Sequence, residues 1–183
     1  MKKGMIAWLL VFLALGILSL VFDSSIASYV ASVQNSYLST LFEVLSSYLM
    51  IALVVIFVLF LLIKKHKNKA LVTFVITLIS SAIISFILKF IVMRPRPLGL
   101  IELLPIVNLI DYSFPSSHAV FMFSALPIIS KEFPKTKYWF IALASLIAIA
   151  RVYLNVHYAS DVILGAIVGY ILGYCIMKRT ENK

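Results

Sequence analysis

The chain has 183 residues, of which 63% are apolar, and its mean hydropathy is +1.09. This composition excludes an ordinary soluble domain with a polar surface and predicts an integral membrane protein. The formal net charge of +9 does not indicate a nucleic-acid partner, because the positive residues concentrate between the apolar runs. The single cysteine, Cys175, excludes an intrachain disulfide.

Polar breaks divide the chain into six apolar stretches that are candidates to cross a bilayer. They cover about 5–22, 41–63, 70–91, 118–130 with some extension, 138–153 and 157–177, against the roughly 20 residues that a span needs. We therefore expect an all-α fold, a six-transmembrane-helix bundle, with residues 1–183 forming one domain.

Positive charge follows the alternation of these spans. Twelve of the sixteen Lys and Arg residues would share one side of a six-span bundle: Lys2, Lys3, Lys64, Lys65, Lys67, Lys69, Lys131, Lys135, Lys137, Lys178, Arg179 and Lys183. The positive-inside rule makes that side cytoplasmic, together with both termini, and predicts a cell-membrane protein. The other four are Lys89, Arg94, Arg96 and Arg151, on the extracytoplasmic side, where they need a different explanation.

Two extracytoplasmic connectors are less polar than ordinary loops. In the first, Asp23, Ser24 and Ser25 are potential helix caps, and apolar residues recur at helical spacing after them. We expect either an amphipathic helix on the outer surface, separate from the first span, or a solvated connector. The second, from Leu98 to Tyr112, suits a segment that rests on the bilayer or covers a site.

The most unusual stretch for a membrane segment is RVYLNVHYASD, which contains Arg151, His157 and Asp161. An ionisable residue at membrane depth costs about 2.5–3.5 kcal/mol on insertion scales, so three of them favour a functional explanation. On a helix, His157 and Asp161 would share a face, and the carboxylate would hold one ring nitrogen and leave the other to attack or take a proton. The spacing from Arg151 to His157 predicts a break near Asn155, with His157 opening the sixth span.

A second group of charges closes the third span. Pro95 and Pro97 end that helix, because proline cannot donate a backbone hydrogen bond. On helical geometry Arg96, seven positions after Lys89, returns to nearly the same face. Arg94 points away, so we expect it to contact head groups or the membrane interface.

A third group opens the fourth span. Ser116 and Ser117 precede an apolar helix, so they are candidates to cap it, and the amides at a helix N-terminus form a natural phosphate site. His118 stands in the first turn, on the same outer face as the other charged groups.

Together these groups predict a site for a phosphate ester. Cationic groups around backbone amides specify a tetrahedral polyanion. Two histidines with one carboxylate indicate an oriented nucleophile or base and a separate acid. We expect no metal and no other cofactor, because the surrounding cations would repel a metal ion.

In the last span, Gly165, Gly169 and Gly173 repeat every four residues. This spacing permits close helix packing. We expect the glycines to pack inside the bundle rather than to form a dimer face, and the oligomeric state itself stays open.

The three groups resemble the motifs of the type 2 phosphatidic acid phosphatases (PAP2), membrane relatives of the vanadium haloperoxidases. That family has Lys, six residues, Arg-Pro; then Pro-Ser-Gly-His; then Ser-Arg, five residues, His, three residues, Asp. The segments that match are 89–97, 115–118 and 150–161, with Ser117 in place of glycine and Ala150 in place of serine. The resemblance implies a PAP2/haloperoxidase-like helix bundle and a metal-independent lipid phosphatase.

The resemblance also implies a role for each matching residue. His157 would attack phosphorus and form a phosphohistidine, Asp161 would orient the imidazole, and His118 would protonate the leaving oxygen. The groups that bind the phosphoryl oxygens would be Lys89, Arg96, Arg151 and the amides of Ser116 and Ser117.

The implied substrate is a lipid phosphate that reaches the site from the membrane. Polyprenyl diphosphate, phosphatidylglycerophosphate and phosphatidate are the main choices. Two other functions remain open: a lipid phosphotransferase, and a non-catalytic protein that binds lipid phosphates.

Overall fold

The computed structural model of this chain describes residues 3–97 and 112–182. These residues form seven helices: α1 (Lys3–Val33), α2 (Ser36–Leu45), α3 (Tyr48–Lys64), α4 (Asn68–Val92), α5 (Ser117–Glu132), α6 (Lys137–Tyr153) and α7 (Ala159–Glu181). The expectation of an all-α fold is confirmed over this part of the chain. Most of the second connector, proposed above to rest on the bilayer or cover a site, lies outside the described residues.

Several of the helices are long and apolar enough to cross a membrane. By length and composition, four such stretches occur in the described part of the chain: Gly4–Val33, Ser36–Lys64, Asn68–Val92 and Ala159–Glu181. Large apolar side chains on α1 and α4 point outward, for example Trp8 at 67% and Ile91 at 70% exposure. Such surfaces are unfavourable in water and suit lipid. The chain is therefore a multi-pass membrane protein.

The first helix is longer than the sequence predicted. It continues from Lys3 to Val33 without the expected separation between a span and a surface helix. No glycine or proline occurs between Ile17 and Gln34 to end it. Asp23, expected as a cap, lies inside this helix and is 2% exposed. The chain turns after Val33, and Asn35 caps α2 by accepting a hydrogen bond from the Leu38 amide at 2.9 Å.

Glycines allow α5 and α7 to pack closely at the centre. A β-carbon on Gly169 would lie 2.3 Å from the Val120 carbonyl oxygen, and one on Gly173 would lie 1.9 Å from the Ser124 carbonyl oxygen. No side chain fits at these distances. The prediction that the glycine stripe packs inside the bundle is confirmed.

The two ends of the bundle differ in chemistry. At one end, surface ion pairs join the α3–α4 turn, the end of α5 and the end of α7: Lys67 to Glu132 at 3.2 Å and Lys131 to Glu181 at 2.7 Å. The other end is formed where α4 and α6 stop and where α5 and α7 start. The predicted site residues lie at this second end.

Candidate active site

His157 lies in the short turn between α6 and α7. The turn contains Asn155 in the left-handed region, with φ of 56°, and the Asn155 side-chain amide donates to the Ala27 carbonyl of α1 at 3.1 Å. The predicted break near Asn155 is confirmed. His157 precedes α7 by two residues and does not open it, because the helix begins at Ala159.

The ring of His157 is held by a backbone carbonyl. Its Nδ1 lies 2.7 Å from the Ser113 carbonyl oxygen, whereas the nearer oxygen of Asp161 is 3.9 Å away. A carbonyl oxygen accepts but cannot donate, so Nδ1 carries the proton and Nε2 keeps its lone pair. The expectation that Asp161 itself binds this ring nitrogen is wrong: the two residues are neighbours, but His157 is turned towards Ser113.

The surroundings of His157 also favour its neutral form. The side chain is 3% exposed. Burial lowers the pKa of His157 well below its ordinary value, and the positive charges of Arg96, Arg151 and Lys89 lower it further. These surroundings therefore favour an uncharged imidazole, whose Nε2 lone pair is available to attack or to accept a proton.

Asp161 is completely buried and accepts several hydrogen bonds. The Tyr158 amide donates to its Oδ2 at 2.9 Å, Arg94 Nη1 donates to its Oδ1 at 2.7 Å, and the Ser113 hydroxyl also donates to Oδ2. Ser113 therefore connects Asp161, through its hydroxyl, with His157, through its carbonyl. The carboxylate supports the histidine through this residue.

Arg94 has a different position from the one predicted. Its guanidinium bridges two buried carboxylates, Asp161 of α7 and Asp23 of α1, with Nη2 2.6 Å from Asp23 Oδ2. The same guanidinium donates to the Ser160 hydroxyl at 2.7 Å and stacks over the Tyr158 ring, 4.0 Å from its centroid. The expectation of a head-group contact is wrong, because two acidic partners inside the protein hold the side chain.

The first turn of α5 approaches α7 at this end. The Ser116 amide donates to the Asp161 carbonyl at 3.1 Å, so this amide does not face a ligand as predicted. Ser116 occupies the N-cap position, but its hydroxyl makes no capping bond, and it has no hydrogen-bond partner among the described residues. Ser117 is the first helical residue and remains partly exposed.

The side chain of His118 is buried against the turn between α2 and α3. Its Nε2 is 2.8 Å from the Ser46 carbonyl oxygen, and its ring is 5.1 Å from that of Tyr48. Arg151 Nη1 is 3.3 Å from the Ser46 hydroxyl. Ser46 thus connects the second histidine with one of the predicted phosphate-binding cations. Nothing in the sequence near Ser46 indicated this role, since a backbone carbonyl makes the main contact.

The remaining two cations converge from the end of α4. Arg96 Nη1 donates to the Val156 carbonyl at 2.7 Å, next to His157, and the Lys89 ammonium donates to the Tyr112 carbonyl, next to Ser113. Helix α4 ends at Val92, and Met93 is left-handed with φ of 49°. The helical-face argument for Lys89 and Arg96 therefore does not apply, although the fold does bring both to His157.

Carboxylates and histidines do not cluster like metal ligands here. Within residues 3–97 and 112–182, no group of three or more His, Cys, Asp or Glu side chains is placed to hold a metal ion. Arg94 already binds both Asp23 and Asp161, so their charge is offset by a guanidinium.

Comparison with known proteins identifies the family. Residues 70–183 match the family model of the PAP2 superfamily. The chain belongs to this superfamily. The matched region contains all eight residues that the sequence assigned to the site, whereas Asp23 and Ser46 precede it. The predicted enzyme class, a hydrolase of lipid phosphate esters, is confirmed at the level of the family.

Similar proteins include several with named functions. The Bacitracin transport permease protein BcrC of Bacillus licheniformis is 31% identical over 144 residues, which are 75% of this chain and 70% of that protein. Undecaprenyl-diphosphatase of Sulfolobus acidocaldarius is 29% identical over 113 residues, 60% of this chain and 54% of that protein. Phosphatidylglycerophosphatase B of Bacillus subtilis is 34% identical over 110 residues, 53% of this chain and 51% of that protein. The chain thus matches about half the length of the last two.

Two solved structures share the fold. The transmembrane PAP2 type phosphatidylglycerolphosphate phosphatase from Bacillus subtilis has a TM-score of 0.72 at 20% identity, covering 97% of this chain and 96% of that one. Aquifex aeolicus LpxE has a TM-score of 0.67 at 22% identity, covering 86% of this chain and 95% of that one. At this identity the likeness establishes the architecture and leaves the substrate open.

Proposed function

We propose that this membrane lipid phosphatase acts through a phosphohistidine on His157. The observation that carries the proposal is the 2.7 Å contact between His157 Nδ1 and the Ser113 carbonyl oxygen. That contact fixes the proton on Nδ1 and leaves the Nε2 lone pair for attack on phosphorus. Asp161, which binds the Ser113 hydroxyl, supports the positive charge that develops on the imidazole.

In the first step, Nε2 of His157 attacks phosphorus and the bond from phosphorus to the lipid oxygen breaks. The negative charge of the bound phosphate favours the protonated form of His118, which gives its proton to the leaving oxygen, so the lipid product departs as an alcohol or a phosphate. Nε2 of His118 is hydrogen-bonded to the Ser46 carbonyl. The transferred proton must therefore come from Nδ1, or the hydrogen bond at Nε2 must open first.

In the second step, a water oxygen attacks phosphorus and the bond between nitrogen and phosphorus breaks. His118 takes the proton from water, which returns it to the protonated form, and inorganic phosphate leaves. Both steps use groups of the protein and water, and we propose that no metal takes part.

The phosphoryl oxygens are bound by three cations that surround His157. Lys89, Arg96 and Arg151 all act electrostatically on His157, which supports their lying near the reacting atom. Ser117, partly exposed at the start of α5, adds a backbone amide from the positive end of a helix. Since the Ser116 amide binds Asp161, the role given to Ser116 passes to its hydroxyl, which has no hydrogen-bond partner within residues 3–97 and 112–182.

The substrate is a phosphomonoester or diphosphate of a membrane lipid. The names of the similar proteins support polyprenyl diphosphate and phosphatidylglycerophosphate, and phosphatidate remains a further choice. We propose one domain that crosses the cell membrane six times, with α5 and α6 as the shorter spans. The positive-inside rule then places the ion-paired end in the cytoplasm and the site on the extracytoplasmic side.

Phosphate release from purified protein in detergent tests this function. Polyprenyl diphosphate, phosphatidylglycerophosphate and phosphatidate are supplied separately, with and without a chelator, and His157→Ala serves as the inactive control. We expect release from at least one lipid, unchanged by the chelator and absent in the variant. Release from none would favour a lipid-phosphate binder, and transfer to an added alcohol in preference to water would favour a phosphotransferase.

A further inference from the structure

An acidic residue is buried inside the first helix. Asp23 is 2% exposed, and it lies on α1, a helix whose other side chains are mostly apolar. Burying an unpaired carboxylate is costly in free energy, so Asp23 must be stabilised by partners inside the protein. The partners are the Arg94 guanidinium at 2.6 Å, the Ser160 amide at 3.1 Å and the Ser160 hydroxyl.

Those partners lead directly to the reacting histidine. Arg94 binds Asp161 at 2.7 Å with its other terminal nitrogen. Asp161 accepts from the Ser113 hydroxyl, and the Ser113 carbonyl holds His157 Nδ1 at 2.7 Å. An unbroken series of polar contacts therefore runs from α1 to the imidazole.

The charges of Asp23, Arg94 and Asp161 indicate a function for this series of contacts. Arg94 alone would neutralise Asp161 and weaken the support that a carboxylate gives to a developing imidazolium. With Asp23 included, two carboxylates share one guanidinium, and the buried group keeps one net negative charge. Asp23 also helps to hold the Arg94 guanidinium between the two carboxylates.

We infer that Asp23 is a positioning residue for the reaction at His157, acting through Arg94 and Asp161. This inference rests on the proposed function. It assigns a part of the site to α1, which lies outside the region matched by the PAP2 family model. The hydrogen bonds and ion pair of Asp23 described above go to Arg94 and Ser160, so it belongs to the support of the site and not to its reacting groups.

Asp23→Asn is the informative variant, because it keeps the shape of the side chain and removes the charge. Ser19→Ala is its matched control. Ser19 is a buried polar residue one turn earlier on α1, and its hydroxyl bonds within the helix to the Gly16 carbonyl at 2.8 Å. A general disturbance of α1 would affect both variants, whereas loss of the Asp23 charge affects the first alone.

Four constants separate positioning from simple loss of folded protein: kcat, KM, and the inhibition constants for orthovanadate and for inorganic phosphate. Orthovanadate adopts the five-coordinate geometry of the phosphoryl transition state, so its affinity follows transition-state stabilisation. Inhibition constants do not change when part of the protein is inactive. A reduced folded fraction would therefore lower kcat and leave both inhibition constants as they are.

For Asp23→Asn we expect kcat to fall about tenfold with KM changed less than about threefold. The inhibition constant for vanadate should rise about tenfold, and that for phosphate should stay within about twofold. Ser19→Ala should match the unmodified protein in kcat, KM and both inhibition constants. If Asp23→Asn does not fold, Ser160→Ala replaces it, with a kcat loss and a vanadate effect of about threefold, since it removes one contact of Asp23.

An unchanged vanadate constant in the Asp23 variant, or in the Ser160 variant used in its place, overturns the inference while the function stands. Equal losses in Ser19→Ala overturn it as well, because they indicate a general effect of α1. Absence of phosphate release by the unmodified protein removes the proposed function itself, and the inference with it. These outcomes are distinct in one set of assays.

Discussion

Arg94 lies 2.7 Å from Asp161, and the pair joins the end of α4 to the start of α7 beside His157. Asp23 completes the group from α1. The arginine is 21% exposed, while both carboxylates are buried. Removal of Arg94 would leave two buried negative charges without their partner, which is much less favourable than losing a surface contact.

This arrangement changes the result expected for one of two neighbouring arginines, Arg94 and Arg96. With the head-group contact that helical spacing predicts for Arg94, Arg94→Ala would stay within roughly 10-fold of normal activity, the scale of a partly exposed contact. We now expect Arg94→Ala to lower kcat by about 10² or more, or to prevent folding, since breaking a buried pair costs about 3–5 kcal/mol. Lipid phosphatase assays and gel filtration in detergent check this, with exposed Arg179→Ala as the control. Near-normal activity of Arg94→Ala would contradict the assigned bridge.

Arg96→Ala should also lower the rate by about 10² or more, for a different reason. Its side chain lies beside His157 and is proposed to bind the transferring phosphoryl group, an interaction that strengthens in the transition state. The variant should fold normally and bind vanadate weakly. A rise in KM with kcat unchanged would show that Arg96 binds substrate and transition state equally, contrary to this role.

Sequence spacing located the charged residues of the site but not the contacts between them. Lys89, Arg96, Arg151, His118 and His157 were found because ionisable residues are rare in apolar spans. The role proposed for Asp23 depends on packing between residues 137 positions apart along the chain, as in its contact with Ser160. No local pattern contains that information.

Backbone acceptors were missed for another reason. His157 is bound by a carbonyl of Ser113 and His118 by a carbonyl of Ser46, and every residue type carries a carbonyl. The sequence therefore favours Asp161 as the partner of His157, because a carboxylate four positions away would lie on the same face of a helix. The sequence predicts too early an end for the first helix, because Asp23, Ser24 and Ser25 are potential caps, although polar residues also occur inside helices when tertiary partners bind them.

Gly173→Ala should destabilise the protein through the contact between α5 and α7. The added β-carbon would lie 1.9 Å from the Ser124 carbonyl oxygen, so the helices would have to separate. We expect a loss of about 1–3 kcal/mol in unfolding free energy, measured by thermal or denaturant unfolding in detergent. Gly4→Ala is the control, since a β-carbon added there would have no neighbouring atom within 4 Å. Equal stability of the two variants would contradict the close packing.

His118→Ala should slow turnover by an amount that depends on the leaving group. A diphosphate leaves as a phosphate and needs little protonation, whereas an alkoxide leaving from phosphatidate needs an acid. We expect a loss of about 10²–10⁴ with phosphatidate, the usual range for an acid catalyst, and a clearly smaller loss with polyprenyl diphosphate. Steady-state rates on both lipids measure this. Equal losses on the two would remove His118 from the acid role.

The proposed orientation predicts which cysteines a membrane-impermeant thiol reagent can reach in intact cells. Cys175 is first replaced by serine, and single cysteines are placed at exposed Ser36 and Asn68, which lie at opposite ends of the bundle. Ser36→Cys should react and Asn68→Cys should not, because the proposed orientation puts the site end on the extracytoplasmic side. The opposite pattern would place the chemistry in the cytoplasm.

The central claim is covalent catalysis by His157, and rapid quenching tests it most directly. Protein is mixed with a lipid substrate that carries a radiolabelled phosphate, stopped within milliseconds in alkali and digested for peptide mapping. A phosphohistidine survives alkali, and we predict that the label appears on the peptide containing His157, decays as phosphate is released, and is absent from His157→Ala. Rapid phosphate release with no labelled intermediate, or a label on another residue, would contradict the mechanism.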